Sequence, residues 1–153
     1  MFSRFTSPSK LKAKGIMGMN QRNGGYIGRY NDRSKYPLVD DKLKTKIIAE
    51  KAGATVPKLI GVIDSQAEVK NIHDIVKDWP GFVIKPAHGS GGNGILVVTG
   101  RLNMGFQKPG GELIKIDAIG HHVSNILSGM YSLGGLPDKA IIEYCVQFDP
   151  FFE

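Results

Sequence analysis

The chain has 153 residues, of which 41% are hydrophobic and 22% charged, and its net charge is +6. This is the composition of a globular protein, and the length suffices for one domain or two small lobes. The single cysteine, Cys145, excludes an internal disulfide framework and any zinc site built from several cysteines. No apolar run approaches the roughly 20 residues that span a bilayer, and the first ten residues lack the apolar core of a secretory signal. We therefore expect a cytoplasmic protein with no membrane partner.

The positive charge is concentrated in a basic N-terminal arm, residues 1–36. The arm carries eight Lys and Arg residues against one acid, Asp32, whereas residues 37–153 have a net charge of −1. Its basicity suits either a polyanion or an acidic surface elsewhere in the protein. Because no zinc-finger spacing and no aromatic-studded strand accompany the arm, we expect no nucleic-acid partner.

Residues 37–80 are predicted to form a helix–strand–helix lobe. The acidic pair at 40 and 41 begins the first helix, which ends at Gly53. Its apolar stripe consists of Leu43, Ile47 and Ile48. A strand is expected at 58–64. Ser65 and Glu68 have the spacing of a capping box, which predicts a second helix over residues 66–78.

Residues 81–153 are predicted to form a mainly antiparallel sheet with one helix packed on it. Strands are expected at 82–85, 95–99 and 140–146, with a hairpin at 107–116. The helix ends at the glycine pair 134–135, and its apolar face comprises Ile119, Val123, Ile126, Leu127 and Met130. Because helices and strands alternate without the regular order of a doubly wound parallel sheet, the predicted fold class is α+β.

A glycine-rich loop, GSGGNG at 89–94, joins the first two of these strands. The residues after it, Ile-Leu-Val-Val, predict a strand rather than the helix that a dinucleotide-binding fold needs at this point. Lys85 ends the preceding strand, so loop N–H groups and this lysine could meet a triphosphate together. The alternative is a hairpin loop without a ligand, but four glycines in six residues exceed what a tight turn needs, and a lysine in an apolar strand needs a partner.

Three ordered segments resemble motifs of one protein family. YPLVDDKLKTKIIAEKAGATVPKLIGVI is similar to a D-K-x-x-x-K helix followed by a G-x-x-x-P turn and a strand, FVIKPAHGSGGNGILVV to a phosphate-binding hairpin, and AIIEYCVQFD to a hinge strand. Together they resemble the ATP-grasp ligases, especially the alpha-L-glutamate ligase homologues, which are related to ribosomal-protein glutamate ligases. GIMGMNQRNGGYIGRYNDRSKYP resembles the N-terminal segment of this branch. The resemblance extends over residues 15–153 and implies an incomplete ATP-grasp fold.

The resemblance implies a binding site for the phosphates of ATP. Lys42 and Lys85 would contact phosphate oxygens. The backbone N–H groups of Ser90, Gly91 and Gly92 would complete the cradle.

The resemblance also implies contacts to the nucleoside. Glu143 would accept a hydrogen bond from the adenine amino group, and backbone groups of Tyr144 and Val146 would meet the ring edge. Asp149 is the nearest acid for the ribose. Between them, Cys145 is expected to be a small core residue rather than a nucleophile.

ATP-grasp ligases form an amide in two steps. A carboxylate takes the γ-phosphoryl group to become an acylphosphate, and an amine then displaces phosphate, with Mg²⁺ neutralising charge. In the family, the Mg²⁺ ligands are an acidic residue and a Glu-x-Asn pair on strands beyond the hinge, and no matching positions occur in this chain. We therefore expect the N-terminal part of a carboxylate–amine ligase, for which relatives suggest glutamate as the amino acid, and which is inactive alone. The alternative is a non-catalytic domain that binds a nucleotide or polyanion.

The strand at 140–146 is expected to stand at an open sheet edge. Such an edge could pair with another chain and give a homo-oligomer. Without the Mg²⁺ ligands, the loop and the two lysines would have to neutralise the triphosphate charge unaided, so we expect this chain alone to bind ATP weakly or not at all.

Overall fold

The computed structural model describes residues 5–102, 105–149 and 151. The chain divides into two compact units, Met1–Pro37 and Leu38–Glu153. Strands from both sides of the expected lobe boundary at residue 80 belong to one sheet of the second unit. In the part of the chain that the structure describes, no helix has both the length and the apolarity needed to cross a membrane.

The N-terminal unit is built from short helical segments. These are α1 (Pro8–Ala13), α2 (Met19–Gln21), a π-helical segment (Arg22–Ile27), α3 (Gly28–Tyr30) and a 3₁₀ turn (Arg33–Lys35). At the 3₁₀ turn, the carboxylate of Asp32 accepts a hydrogen bond from the backbone N–H of Ser34 at 2.9 Å, which lowers the pKa of Asp32. None of the described residues of this unit, 5–37, is buried, so these residues form no hydrophobic core of their own.

The second unit contains the remaining helices and all the strands of the described residues. The helices are α4 (Pro37–Asp40, which begins at the boundary), α5 (Lys42–Lys51), a 3₁₀ helix (Gln66–Asn71), α6 (Ile72–Val76) and α7 (Ile116–Leu127). The strands are β1 (Leu59–Ile63), β2 (Phe82–Pro86), β3 (Leu96–Val98), β4 (Gly100–Leu102), β5 (Gly105–Gln107), β6 (Leu113–Ile114) and β7 (Ala140–Tyr144).

Two antiparallel sheets organise this unit. The larger has the strand order β1-β7-β2-β3 and the smaller the order β4-β5-β6. In the larger sheet, Ile84 of β2 pairs with Ile142 of β7, and Lys85 pairs with Ile141. The α+β class and the hairpin between β5 and β6 are confirmed.

The hydrophobic core lies on one face of the larger sheet. Alternation along β2 sends Phe82, Ile84 and Pro86 to this face, where all three are buried. The ring of Phe82 packs edge-to-face on Phe106 of the smaller sheet, with 5.4 Å between ring centroids. Helix α7 covers this face with its apolar stripe: Ile119, Val123, Ile126 and Leu127 are all buried.

The apolar stripe predicted for α5 is not the buried face of the helix. Ile47 and Ile48 of the predicted apolar stripe are 40% and 45% exposed, whereas the buried residue of the helix is Lys46. The reason is electrostatic: the sheet face towards which α5 turns carries a buried carboxylate, Glu143, and a cation is needed beside it.

Two further helices differ from expectation in detail. The segment predicted as a helix over 66–78 begins as a 3₁₀ helix and becomes α-helical only at Ile72. The last predicted helix ends at Leu127, because Gly129 adopts a φ of +84°. A Cβ at Gly129 would lie 2.4 Å from the carbonyl oxygen of Leu136, so only glycine fits there. Met130 therefore lies beyond the helix and is 63% exposed.

The strand at 140–146 does not stand at an open edge. β7 lies inside the sheet, paired with β1 on one side and β2 on the other. Its residues from Ala140 to Glu143 are all buried. The predicted open edge is therefore wrong, and β7 has no free edge on which a second copy of the chain could pair.

We expect Ile126→Ala to lower the free energy of unfolding by about 2–5 kcal/mol, because it removes a fully buried side chain from the α7 stripe. Ile48→Ala is the matched control, since Ile48 is 45% exposed, and its effect should be clearly smaller, about 1 kcal/mol or less. Urea unfolding of both variants measures the difference. Equal losses would contradict the assignment of the core to the α7 side of the sheet.

Candidate functional site

The second face of the larger sheet carries charged groups. Val83 and Lys85 alternate with the core residues of β2, and Glu143 of β7 pairs directly with Val83. Because side chains two apart on a strand share a face, Lys85 and Glu143 project from the same side of the sheet as diagonal neighbours. The sheet thus places a cation and an anion together opposite the hydrophobic core.

Glu143 is the centre of a buried ion cluster, here called the Lys–Glu–Lys cluster (Lys46, Glu143, Lys85). Its Oε2 lies 2.5 Å from Nζ of Lys85, and its Oε1 lies 3.0 Å from Nζ of Lys46. The side chains of Glu143 and Lys46 are each 5% exposed, whereas that of Lys85 is 24% exposed. Both oxygens of the carboxylate therefore have a cationic partner, and only Lys85 has appreciable access to solvent.

Lys46 is a site residue that sequence reasoning did not assign. It lies one helical turn after Lys42 in the D-K-x-x-x-K motif, so both lysines occupy one face of α5. That spacing was the signal that could have found it. Besides its ion pair with Glu143, Nζ of Lys46 donates a hydrogen bond to the carbonyl oxygen of Pro57.

Lys42 connects α5 to the start of the glycine-rich loop. Its backbone N–H donates to the carbonyl oxygen of Ala87 at 3.0 Å, and its Nζ donates to the carbonyl oxygens of Ala87 (3.4 Å) and Gly89. Asp41 caps the helix by accepting from the N–H groups of Leu43 and Lys44. The ammonium of Lys42 is thereby held at the base of the loop.

The three lysines meet in one cleft beside α5, here called the lysine cleft. It has a volume of about 260 Å³ and is lined by Val39, Lys42, Thr45, Lys46, Ala49, Val56, Pro57, Lys85 and Glu143. Three ammonium groups against one carboxylate leave two positive charges in excess. A cleft of this kind favours an anion that carries several charges.

The glycine-rich loop is anchored at both ends and exposed in the middle. Ser90, Gly91 and Gly92 are exposed, and Gly91 and Gly92 have φ values of +61° and +79°. At the far end, Gly94 has a φ of +77°, and a Cβ there would lie 2.5 Å from the ring of Tyr131. The ring of His122 also donates from Nε2 to the carbonyl oxygen of Gly94 at 2.9 Å.

The near end of the loop is held by His88 and Asp138, a pair that sequence reasoning missed. Asp138 accepts from the backbone N–H of His88 at 2.9 Å, and its other oxygen lies 2.7 Å from His88 Nδ1. The side chain of Asp138 is fully buried. His88 Nε2 lies 3.8 Å from the carboxylate of Asp41, which connects the loop again to the start of α5.

The predicted nucleoside contacts do not line the lysine cleft, apart from Glu143. The half-buried ring of Tyr144 packs edge-on against Trp79, and the backbone N–H of Tyr144 donates to Lys58. Val146 is 55% exposed, and Asp149 accepts from the backbone N–H of Phe151. The structure therefore brings together Lys42, Lys85 and Glu143, with the glycine loop joined to them through Lys42.

Cys145 is a buried residue, as the sequence predicts. Burial raises the pKa of its thiol. Among residues 5–102, 105–149 and 151, no group of three His, Cys, Asp or Glu side chains could hold a metal ion.

Comparison with known proteins identifies the family of this chain. The sequence profile of the sugar-transfer associated ATP-grasp family matches residues 21–153. The chain belongs to this family. Neither a curated protein nor a solved structure matches the chain.

Membership of the sugar-transfer associated ATP-grasp family confirms the ATP-grasp part of the resemblance. The α+β arrangement of the second unit is consistent with a partial ATP-grasp fold. The family is one of ATP-binding, ligase-like proteins. The narrower resemblance to glutamate ligase homologues stays a prediction.

The burial of His122 makes the stability of the fold sensitive to pH. Burial lowers the pKa of His122 below its ordinary value of 6.5, outweighing the opposite effect of its hydrogen bond to Gly94. Below pH 6.5, the unfolded chain therefore takes up a proton more readily than the folded chain, and stability falls as the pH falls. We expect the free energy of unfolding to drop more for wild type than for His122→Gln between about pH 7.5 and about pH 5.5.

Urea unfolding at the two pH values measures this difference, and glutamine keeps an N–H donor for Gly94. All other titrating groups are common to both proteins and cancel in the comparison. An identical loss of stability in both would show that His122 is protonated equally in the folded and unfolded chains.

Proposed function

We propose that the lysine cleft and the glycine-rich loop bind the triphosphate of ATP in an ATP-dependent ligase. The observation that carries the proposal is the meeting of Lys42 and Lys85 beside the loop, in a cleft with two excess positive charges. Lysine ammonium groups are point charges that bind phosphate oxygens, and exposed loop N–H groups add hydrogen bonds without a side chain in the way. Family membership supports the same nucleotide.

Each part of the site has a separate task in this proposal. Lys85, which is the more accessible lysine of the Lys–Glu–Lys cluster, binds phosphate directly. Lys42 fixes the base of the loop and adds positive charge. The N–H groups of Ser90, Gly91 and Gly92 cover the phosphates.

The reaction that we propose for the intact protein is carboxylate–amine ligation. A carboxylate oxygen of the substrate attacks the γ-phosphorus, ADP leaves, and an amine then displaces phosphate from the acylphosphate to form the amide. The cleft contributes charge neutralisation and positioning to the first step. Glutamate as the amino acid is part of this proposal, as is a cytoplasmic location, where ATP is supplied.

Mg²⁺ commonly accompanies ATP in such reactions by bridging its phosphate oxygens. The residues that the structure describes include no carboxylate cluster that fits a metal ion. No Mg²⁺ ligand is therefore assigned among residues 5–102, 105–149 and 151. A nucleotide-binding domain without turnover would use the same cleft, and an assay of the intact protein for ADP release with ATP, Mg²⁺ and glutamate distinguishes the two.

We expect Lys85→Ala to weaken ATP binding by about 1.5–3 kcal/mol, because a charge-assisted contact to phosphate is lost. Lys46 still pairs with Glu143 in this variant, so the carboxylate keeps a partner. Lys44→Ala is the matched control, since Lys44 is exposed on the same helix as Lys42. Titration of each protein with ATP and Mg²⁺, followed by amide NMR shifts of the loop, measures the affinities. Wild-type affinity in Lys85→Ala would remove the basis of the proposal.

A further inference from the structure

The ammonium group of Lys85 has two competing partners. The proposed function requires Lys85 to bind a phosphate, but in this structure its Nζ lies 2.5 Å from Oε2 of Glu143. Moving Lys85 to a phosphate removes one cation from a carboxylate that is only 5% exposed. A buried carboxylate that loses its partner is strongly destabilised, so the transfer needs another cation at Glu143.

Lys46 is placed to be that cation. Its Nζ pairs with Oε1, the oxygen that Lys85 does not use, so the two ion pairs are geometrically separate. The hydrogen bond from Nζ to the carbonyl oxygen of Pro57 gives the ammonium a second fixed partner. Because the side chain of Lys46 is 5% exposed, it stays with Glu143 rather than reaching towards solvent.

We propose that Lys46 is a positioning residue that compensates the charge of Glu143 and so allows Lys85 to exchange this carboxylate for a phosphate. This inference rests on the proposed function, since it concerns the same cleft. When Lys85 leaves, the ion pair of Lys46 with Oε1 persists, and Oε2 becomes available to a hydrogen-bond donor. Lys46 thus acts through Glu143 and Lys85 and does not contact the nucleotide.

The test uses the full chain and inorganic tripolyphosphate, which carries the phosphate charge without adenine. Amide NMR titrations compare wild type with Lys46→Met, Glu143→Gln and the double variant. In Lys46→Met, Glu143 retains Lys85 as its only cation, so we expect tripolyphosphate affinity to fall by at least about tenfold. In the Glu143→Gln background no carboxylate charge needs compensation, so adding Lys46→Met removes only one positive charge from the cleft and should lower the affinity by less than about threefold.

Wild type, the two single variants and the double variant form a double-mutant cycle, which distinguishes a positioning role of Lys46 from a merely structural one. If Lys46 only supported the fold, its removal would weaken binding equally whether glutamate or glutamine stands at position 143. A positioning role requires a clearly larger loss where the carboxylate is present. A loss of similar size in both backgrounds would therefore overturn the inference.

Two further comparisons test the role of Lys46 even if Lys46→Met does not fold. Lys46→Arg should restore binding to within about threefold of wild type, because arginine keeps the positive charge beside Oε1. If Lys46→Met does not fold, Glu143→Gln and the double variant still provide the deciding comparison, since neither contains the uncompensated carboxylate. A loss of about tenfold or more from the first of these to the second would contradict the role of Lys46.

The outcomes also separate this inference from the proposed function. Wild type that binds tripolyphosphate, with loss of binding in Lys85→Ala but not in Lys46→Met, would overturn the role of Lys46 and leave the phosphate site standing. Wild type whose loop amides do not respond to tripolyphosphate or ATP would overturn both.

Discussion

A carboxylate buried on the central strand of a sheet is the constraint on which this site depends. Glu143 lies on β7, between two neighbouring strands, where water cannot solvate its charge. Its burial requires cations, and the chain supplies one from the adjacent strand and one from a helix. The position of α5 against the sheet follows from this requirement more than from Ile47 and Ile48, which stay 40% and 45% exposed.

The two faces of the larger sheet therefore differ in polarity. One face is apolar and packs against α7, so it contributes stability through burial of hydrophobic area. The other carries the Lys–Glu–Lys cluster and opens into the lysine cleft. Strand alternation connects the two, since Ile84 and Lys85 are neighbours in sequence but point to opposite faces. Stability and chemistry are thus supported by the same two strands.

Much of this architecture could be predicted from the sequence, because local patterns determine it. The strands around the glycine-rich loop and the α7 stripe follow from apolar periodicity and from glycine positions. The orientation of α5 could not be predicted in this way, because a lysine on a helix ordinarily faces solvent and only the distant Glu143 changes that preference. The pair of His88 and Asp138 was equally hidden, since its members are 50 positions apart and Asp138 lies outside the recognisable motifs.

The anchoring of the glycine-rich loop limits the conformational entropy that binding must remove. His88 and Asp138 hold one end, while His122 and Tyr131 hold Gly94 at the other. Between these anchors, only a few exposed residues remain to be ordered, at a cost of about 1–2 kcal/mol for each backbone unit. A loop of the same composition with free ends would require more residues to be fixed. Much of the ordering is therefore complete when the chain folds, before any anion arrives.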